Sequence, residues 1–193
     1  MIAKHRLDGL TDAVFGVAMM LLILDLRLPE GFLPHDAAEL LRALSDLLAQ
    51  FLAYAISFYV LARRWTGLAK LVGKLDAITD RFAAWSLTHL FLIACIPFST
   101  MLAGRFDQFA PSIWVYALNT ILAALVVLRL VHLAGAAADA GDRADWRRGL
   151  IALIVVALIS VGISLVRPTD AMWAYLLLVL VPAWQKWRVR KTS

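Results

Sequence analysis

Apolar residues in this chain are concentrated in six long runs, and most polar positions lie between them. The runs cover roughly residues 10–28, 46–64, 82–103, 111–133, 147–166 and 170–187. About 20 apolar residues at a rise of 1.5 Å each cross a hydrocarbon core of roughly 30 Å. Because a helix satisfies its own backbone hydrogen bonds in lipid, the pattern predicts an all-α, polytopic membrane protein with six transmembrane helices in one domain, residues 1–193.

The first run differs from the others because its polar residues stand at its two ends and its apolar body is short. At 100° per residue, steps of four, three and four residues return to one narrow helical face. The residues of this face are Ala13, Val17, Met20 and Leu24, with Leu21 on its flank and Gly9 and Gly16 beside it. Such a face suits close helix contact or a pore wall, and the pattern alone leaves both uses open.

Three connections between the runs are long enough to contain structure of their own. In residues 29–45, prolines break the helix, and Asp36 with Glu39 resembles a capping box. An amphipathic lead follows, so the second helix is expected to project as one long helix beyond the membrane. Residues 66–80 predict an interfacial amphipathic helix with a basic face. Residues 134–145, rich in Ala, Asp and Gly, predict a flexible loop.

Composition and charge add an orientation. Hydrophobic residues make up 62% of the chain, against about 45–50% in soluble domains. Most of the 19 Lys and Arg residues flank the termini and alternate connections, which leaves Arg27, Arg42, Arg105 and Arg167 on the opposite side. By the positive-inside rule, both termini are expected in the cytoplasm, with the chain in the plasma (inner) membrane. The basic residues form no single stripe, so nucleic acid is not an expected partner, and the seven Trp residues fit an interfacial belt.

Polar side chains inside the runs are few, and each is costly in lipid unless it finds a partner. Thr11 and Asp12 predict either an anchor for the first helix or part of an ion path, with Arg6 as the nearest donor for Asp12. His89 is expected to be a packed histidine rather than a proton sensor, and Pro97 predicts a kink. The remaining hydroxyl and amide groups are expected to cover freed carbonyls or to bond between helices: Ser99, Thr100, Tyr116, Asn119, Ser160 and Ser164.

No pattern in the sequence indicates catalysis or a bound cofactor. The chain lacks a metal-ligand spacing, a glycine-rich phosphate loop and a nucleophile with its base at one membrane depth. Asp8 and Asp12 are paired by helical spacing, but they lie at the rim of the first run. We therefore expect a non-enzymatic membrane protein without metal or cofactor.

The opening of the chain resembles a known family. Arg6-x-x-x-Leu10-Thr11-Asp12, followed by AVFGVAMMLLILDL, is similar to the start of the potassium channels related to endosomal and lysosomal transmembrane protein 175. That family begins with Arg-x-x-x-Phe-Ser-Asp and an apolar run that ends in a Leu-acid-hydrophobic triplet, which Leu24-Asp25-Leu26 resembles. Leu10 and Thr11 depart from the pattern. Similar stretches are residues 51–65, 96–106 and 116–119, and the last two runs match no motif.

The resemblance implies a potassium channel in which four six-helix subunits place their first helices around one pore. On this pattern the apolar constriction carries over to Val17, Leu21 and Leu24. Met20 stands where the family has a threonine linked with potassium preference, so modest selectivity for the permeant K⁺ is expected. Two further roles are implied, a network that sets the rotation of the helix and an anionic ring at the outer mouth. Their residues are Arg6, Leu10, Thr11 and Asp12 for the network and Asp25 for the ring.

Together these observations favour a homotetrameric channel in the lipid bilayer that conducts monovalent cations passively. A secondary transporter of a small cation or solute is the alternative from another class. Transporters usually have ionisable or discontinuous elements at the membrane midplane, and the sequence predicts none there. A membrane scaffold without transport is a third hypothesis, and a non-conducting monomer or dimer would favour it.

Overall fold

The computed structural model describes residues 4–24, 26–28, 31–135 and 140–178, and the regular elements among these residues are all helical. The elements are α1 (Lys4–Leu24), α2 (Ala37–Asp46), α3 (Leu48–Gly73), α4 (Asp80–Ala94), α5 (Ile96–Arg105), α6 (Ala110–Leu133), α7 (Ala140–Ser164) and a 3₁₀-helix (Pro168–Leu176). The predicted all-α class is confirmed.

Four helical segments are long and apolar enough to cross a membrane. They are Lys4–Leu24, Asp80–Arg105, Ala110–Leu133 and Trp146–Ser164. The pair α2 and α3, bent by 45°, gives a fifth if it counts as one span. The sixth predicted run begins in the 3₁₀-helix, and residues 179–187 lie outside the described residues. The chain is thus a multi-pass membrane protein, and the count of six helices stays a prediction.

The separate interfacial helix predicted for residues 66–80 is wrong. Helix α3 continues without interruption through Gly73, and Leu68 and Leu71 on this stretch are only 2% and 3% exposed. The amphipathic pattern arises because the end of α3 still packs one face on the core while its other face is exposed. A short turn then leads into α4, whose first turn is capped by the Thr79 hydroxyl.

The lead into α3 and the loop before α7 also differ from prediction. Asp36 caps α2 as expected, and its carboxylate accepts the Glu39 N–H at 2.7 Å. The bend between α2 and α3 replaces the single long helix that the apolar pattern predicted. Residues 140–145, predicted as loop, form the start of α7.

The third run breaks where its proline predicts. Helix α4 ends at Ala94, and α5 begins at Ile96 with Pro97 in its first turn. The Ser99 hydroxyl donates to the Ile96 carbonyl at 3.0 Å, so the expected contact between hydroxyl and backbone is present. Thr100 reaches another helix instead, because its hydroxyl donates to Ser57 Oγ at 2.8 Å.

Helix α6 packs against α4, α5 and α7, and the predicted hydrogen bonds between elements are confirmed. A buried polar bond costs less in lipid than two unpaired groups, so these contacts fix which helices are neighbours. The pairs are Tyr116 with Ser57 at 3.0 Å, Asn119 with Ser99 at 3.3 Å, Trp114 with Ser164 at 3.1 Å, and Ser160 with the Ala171 carbonyl at 2.8 Å.

Two glycines allow close approach between helices. A Cβ atom on Gly67 would overlap the indole ring of Trp146, so α7 lies directly on α3 at this point. A Cβ on Gly104 would lie 3.2 Å from Gln50 Cα, where α5 crosses α3. Trp146 therefore packs between helices in addition to any role at the membrane interface.

Candidate functional site: the two faces of helix α1

Helix α1 presents two faces with opposite surroundings. Its buried residues lie within about 80° of one another around the helix axis, and they are Leu7, Phe15, Ala18 and Leu22. This inward face packs against α3, α4 and α5 of the same subunit. The face carrying Ala13, Val17, Met20 and Leu24 is centred about 150° away, so it points out of the subunit.

The outward face of α1 is apolar and open. The exposed fractions are 55% for Val17, 68% for Met20 and 66% for Leu24, with 43% for Leu21 on the flank. A Cβ atom built on Gly9 or Gly16 would meet nothing within 4 Å. The residues predicted to form a constriction therefore share one exposed surface of a single subunit. A surface that contacts other copies of the chain, or lipid, is expected to be exposed in this way.

Two polar contacts hold the first half of α1 against α3. The Lys4 ammonium donates to the carbonyl oxygens of Gly73 at 3.2 Å and Leu75 at 2.7 Å. A cation is favourable there because the last carbonyls of a helix carry partial negative charge. About two turns further along α1, Trp65 Nε1 donates to Asp12 Oδ1 at 2.8 Å. Together the two contacts fix the height and rotation of α1 relative to α3.

The donor for Asp12 is Trp65 rather than the predicted Arg6. Arg6 is exposed, and it forms no hydrogen bond or ion pair with the residues that the structure describes. The Thr11 hydroxyl donates to the Leu7 carbonyl within α1 at 2.8 Å, and Leu10 is 44% exposed. Of the four motif residues, within the described part of the subunit, Asp12 alone bonds another helix.

Trp65 was expected only as a belt residue, and its role was missed. An indole N–H can only donate, so a Trp at the membrane interface signals a possible acceptor. The sequence separation between Asp12 and Trp65 hides which acceptor that is. The predicted acid of the outer mouth, Asp25, lies outside the described residues.

The structure also buries two basic side chains behind α1. His89 is fully buried, as predicted, and its ring centroid lies 5.9 Å from that of Phe15 on the inward face of α1. Arg64 is 5% exposed, whereas its neighbour Arg63 is exposed. In the sequence, Arg63 and Arg64 stand together at the end of the second apolar run. Only the rotation of α3 decides which of the two arginines enters the core.

Over the described residues, no group of three or more His, Cys, Asp or Glu side chains could hold a metal ion. The exposed face of α1 carries apolar side chains that neither donate nor accept protons.

Comparisons with known proteins identify relatives of the chain. A family model described as the endosomal/lysosomal potassium channel TMEM175 matches residues 6–97, from Arg6 into α5. A potassium channel of Chamaesiphon minutus is 27% identical over 52% of this chain and 49% of its own length. For a potassium channel of Streptomyces collinus the values are 26%, 52% and 48%, and for one of a Chryseobacterium species 24%, 63% and 60%. The chain thus spans about half the length of the first two curated relatives.

The fold itself has a solved counterpart. The crystal structure of a lysosomal potassium-selective channel TMEM175 homologue from Chamaesiphon minutus superposes with a TM-score of 0.68 at 23% identity. The likeness covers 90% of this chain and 96% of that chain. The resemblance seen in the residues from Arg6 onward is therefore confirmed. The named relatives are channels and not enzymes, in agreement with the predicted lack of catalysis.

Proposed function

We propose, from the relationship of residues 6–97 to the endosomal/lysosomal potassium channel family, that this chain is a subunit of a cation channel. Four copies assemble with the outward faces of α1 around a common axis. Each subunit contributes six transmembrane helices, and both termini lie in the cytoplasm. The assembly conducts potassium passively across the cell membrane.

The observation that carries this proposal is the outward face of α1. Its first half carries the small residues Gly9, Ala13 and Gly16 next to Arg6 and Leu10, and its second half carries Val17, Met20 and Leu24. Around a shared axis, the small residues leave a wide vestibule and the larger ones narrow it. Val17 and Leu24 are about 10 Å apart along the helix, so the narrow part is a short throat.

A throat of apolar rings controls permeation through wetting. When the rings are close, water leaves the throat and ions cannot cross, and when they separate, hydrated cations pass. Met20 is a flexible apolar residue where the resembled family has a threonine. A thioether cannot replace the water shell of an ion as a ring of hydroxyls can, so we expect modest preference for potassium. A ring of Asp25 at the outer mouth would concentrate cations.

The contacts between α1 and α3 give the throat its geometry. The Asp12–Trp65 hydrogen bond and the Lys4 contact set the rotation of α1. In this proposal they keep Val17 and Leu24 directed at the axis, and any opening must bend or rotate α1 against them. Arg6, exposed on the same side as the outward face, is available to a neighbouring copy.

Ion flux from liposomes tests the proposal. Leu24→Ala and Val17→Ala widen the throat, and we expect at least a several-fold change in potassium flux or in the ratio of potassium to sodium flux. Leu118→Ala on α6 is the matched control, because Leu118 is 58% exposed on another apolar surface. Unchanged flux and ion preference in both throat variants would overturn the assignment of the pore to α1. Resolved single-channel current steps separate a channel from a transporter, which gives saturable, coupled flux.

A further inference from the structure

The core of the subunit contains an arginine whose charge has no partner among the described residues. Arg64 is 5% exposed, and one of its nitrogens, Nη2, donates to the Thr120 carbonyl on α6 at 3.0 Å. The other two nitrogens, Nε and Nη1, are buried without a hydrogen-bond partner. No described carboxylate pairs with this guanidinium, since Asp12 bonds Trp65 at the surface of the subunit.

Other buried polar atoms without partners lie on α4 and on the 3₁₀-helix. Both ring nitrogens of His89 on α4 are also buried without a partner, and the positive charge of Arg64 acts on this ring. The Tyr175 hydroxyl on the 3₁₀-helix is likewise buried without a hydrogen-bond partner. Ser86, one turn before His89 on α4, has a buried hydroxyl without a partner. Each of these groups can donate a hydrogen bond, and the two free arginine nitrogens can only donate.

Such a set of groups requires an occupant. Buried polar atoms in proteins are almost always satisfied, by protein groups or by ordered water. Water could satisfy the hydrogen bonds, but it leaves the guanidinium charge uncompensated in a membrane-embedded core, where a lone charge is strongly destabilising. An anion supplies both the acceptor and the opposite charge.

We propose that the core between α3, α4 and α6 binds one small monovalent anion of the halide class, chloride under ordinary conditions, on Arg64. Nε and Nη1 of Arg64 donate to the ion, and the unpartnered His89 ring and Tyr175 hydroxyl are the nearest candidates on α4 and the 3₁₀-helix for its remaining contacts. Because the Arg64 guanidinium is buried in the subunit, a small free ion suits this position and a carboxylate on the surface of another subunit does not. The proposal concerns the folded subunit, and it does not depend on whether the assembly conducts.

The position of this site gives it a structural role. His89 packs against Phe15, which lies on the inward face of α1 beside Ala18. Neutralising Arg64 removes a positive charge from the core directly behind the proposed throat. The anion therefore stabilises the packed form of α1, and its removal is expected to loosen the contact between α1 and α4.

The test compares anions on the intact, purified full chain. The midpoint of thermal unfolding is measured in potassium chloride, potassium bromide and potassium gluconate at equal ionic strength. Gluconate is too large for an enclosed site, so we expect a midpoint lower by about 3 °C or more than in chloride or bromide. Arg64→Met removes the charge at similar volume and should abolish this difference, whereas Arg63→Met, at the exposed neighbour, should preserve it.

Crystals grown in bromide decide the matter without any variant. We expect an anomalous bromide peak within hydrogen-bond distance of Arg64 Nε or Nη1 in the wild-type chain. Equal midpoints in the three salts together with no bromide peak beside Arg64 would overturn the proposal, since water alone would then fill the core. A midpoint difference without that peak would also overturn it, because the ion would be acting elsewhere. If Arg64→Met does not fold, the bromide map of the wild type carries the decision alone.

Discussion

Helices α1 and α6 both expose apolar surfaces, but the two surfaces differ in composition. The exposed face of α6 is uniformly bulky, with Val115, Leu118, Leu122 and Leu125 between 40% and 58% exposed. That of α1 sets the small residues Gly9, Ala13 and Gly16 beside Arg6 and Leu10 in its first half, and it is uniformly bulky only from Val17 onward. Bulky side chains along a whole span pack well against lipid, whereas small residues let another helix approach closely or leave space between helices. Exposure in a single subunit therefore does not distinguish the two surfaces. The distribution of side-chain size along each helix does distinguish them.

A charge introduced on each surface should give the largest difference between α1 and α6. In Met20→Lys, four ammonium groups would face the proposed throat, and we expect assembly to persist while potassium flux falls by at least about 100-fold. In Leu122→Lys the ammonium would meet lipid, at a cost of about 2.5–3.5 kcal/mol at the middle of a span. The measurements are liposome flux and yield of folded protein. Loss of folding in Met20→Lys with normal folding of Leu122→Lys would reverse the assignment of the two surfaces.

Access of water sharpens the same contrast. Single cysteines are placed at Ala13 and at Leu125 in a chain in which the free Cys95 is replaced by alanine. A charged, water-soluble thiol reagent should modify the cysteine at position 13 at least about ten times faster than the cysteine at position 125. In a water-filled vestibule the thiol can ionise to the reactive thiolate, whereas in lipid it cannot. Equal rates at the two positions would argue that α1 faces lipid.

Part of this architecture is predictable from sequence. The apolar run 111–133 matches α6, Ala110–Leu133, because nothing within it interrupts a helix. Pro97 marks the break between α4 and α5 because it cannot donate within a helix. The end of α3 was misjudged because an amphipathic stretch is compatible with an interfacial helix and with the last turns of a long one.

The polar site was less accessible to sequence reasoning. Asp12 was identified by its cost in lipid, but its partner Trp65 is set by how α1 and α3 cross. Arg63 and Arg64 are adjacent and chemically identical, and a rotation of 100° per residue sends one to the surface and the other into the core. Tertiary contacts decide such rotations, so no local pattern reports them.

The hydrogen bond between α1 and α3 provides a smaller effect with a close control. Trp65→Phe keeps an aromatic ring and removes the N–H donor to Asp12. We expect the free energy of unfolding to fall by about 1 kcal/mol, since the bond is solvent-exposed. Trp85→Phe is the control, because Trp65 and Trp85 are both 38% exposed. Tetramer yield and open probability should fall in Trp65→Phe and in Asp12→Ala. Wild-type values in both would refute a positioning role for this contact.

The Lys4 contact should give the smallest effect. Lys4→Met removes the cation at the carbonyl end of α3, a change worth about 0.3–1 kcal/mol. Thermal unfolding at low and high salt measures it, since screening weakens such an interaction. The difference in unfolding midpoint between the wild type and Lys4→Met should shrink as the salt concentration rises. A constant difference would assign the effect to lost contact area of the lysine stem.

The central claim is that outward faces of α1 from several copies meet at one axis. The most direct test is a cryo-electron-microscopy map of the full chain reconstituted in a lipid nanodisc and viewed along the membrane normal. The proposal predicts four copies, with the side chains of Val17 and Leu24 directed at the fourfold axis and those of Leu118 and Leu122 directed at lipid. A map in which Val17 and Leu24 contact lipid, away from any shared axis, would contradict it.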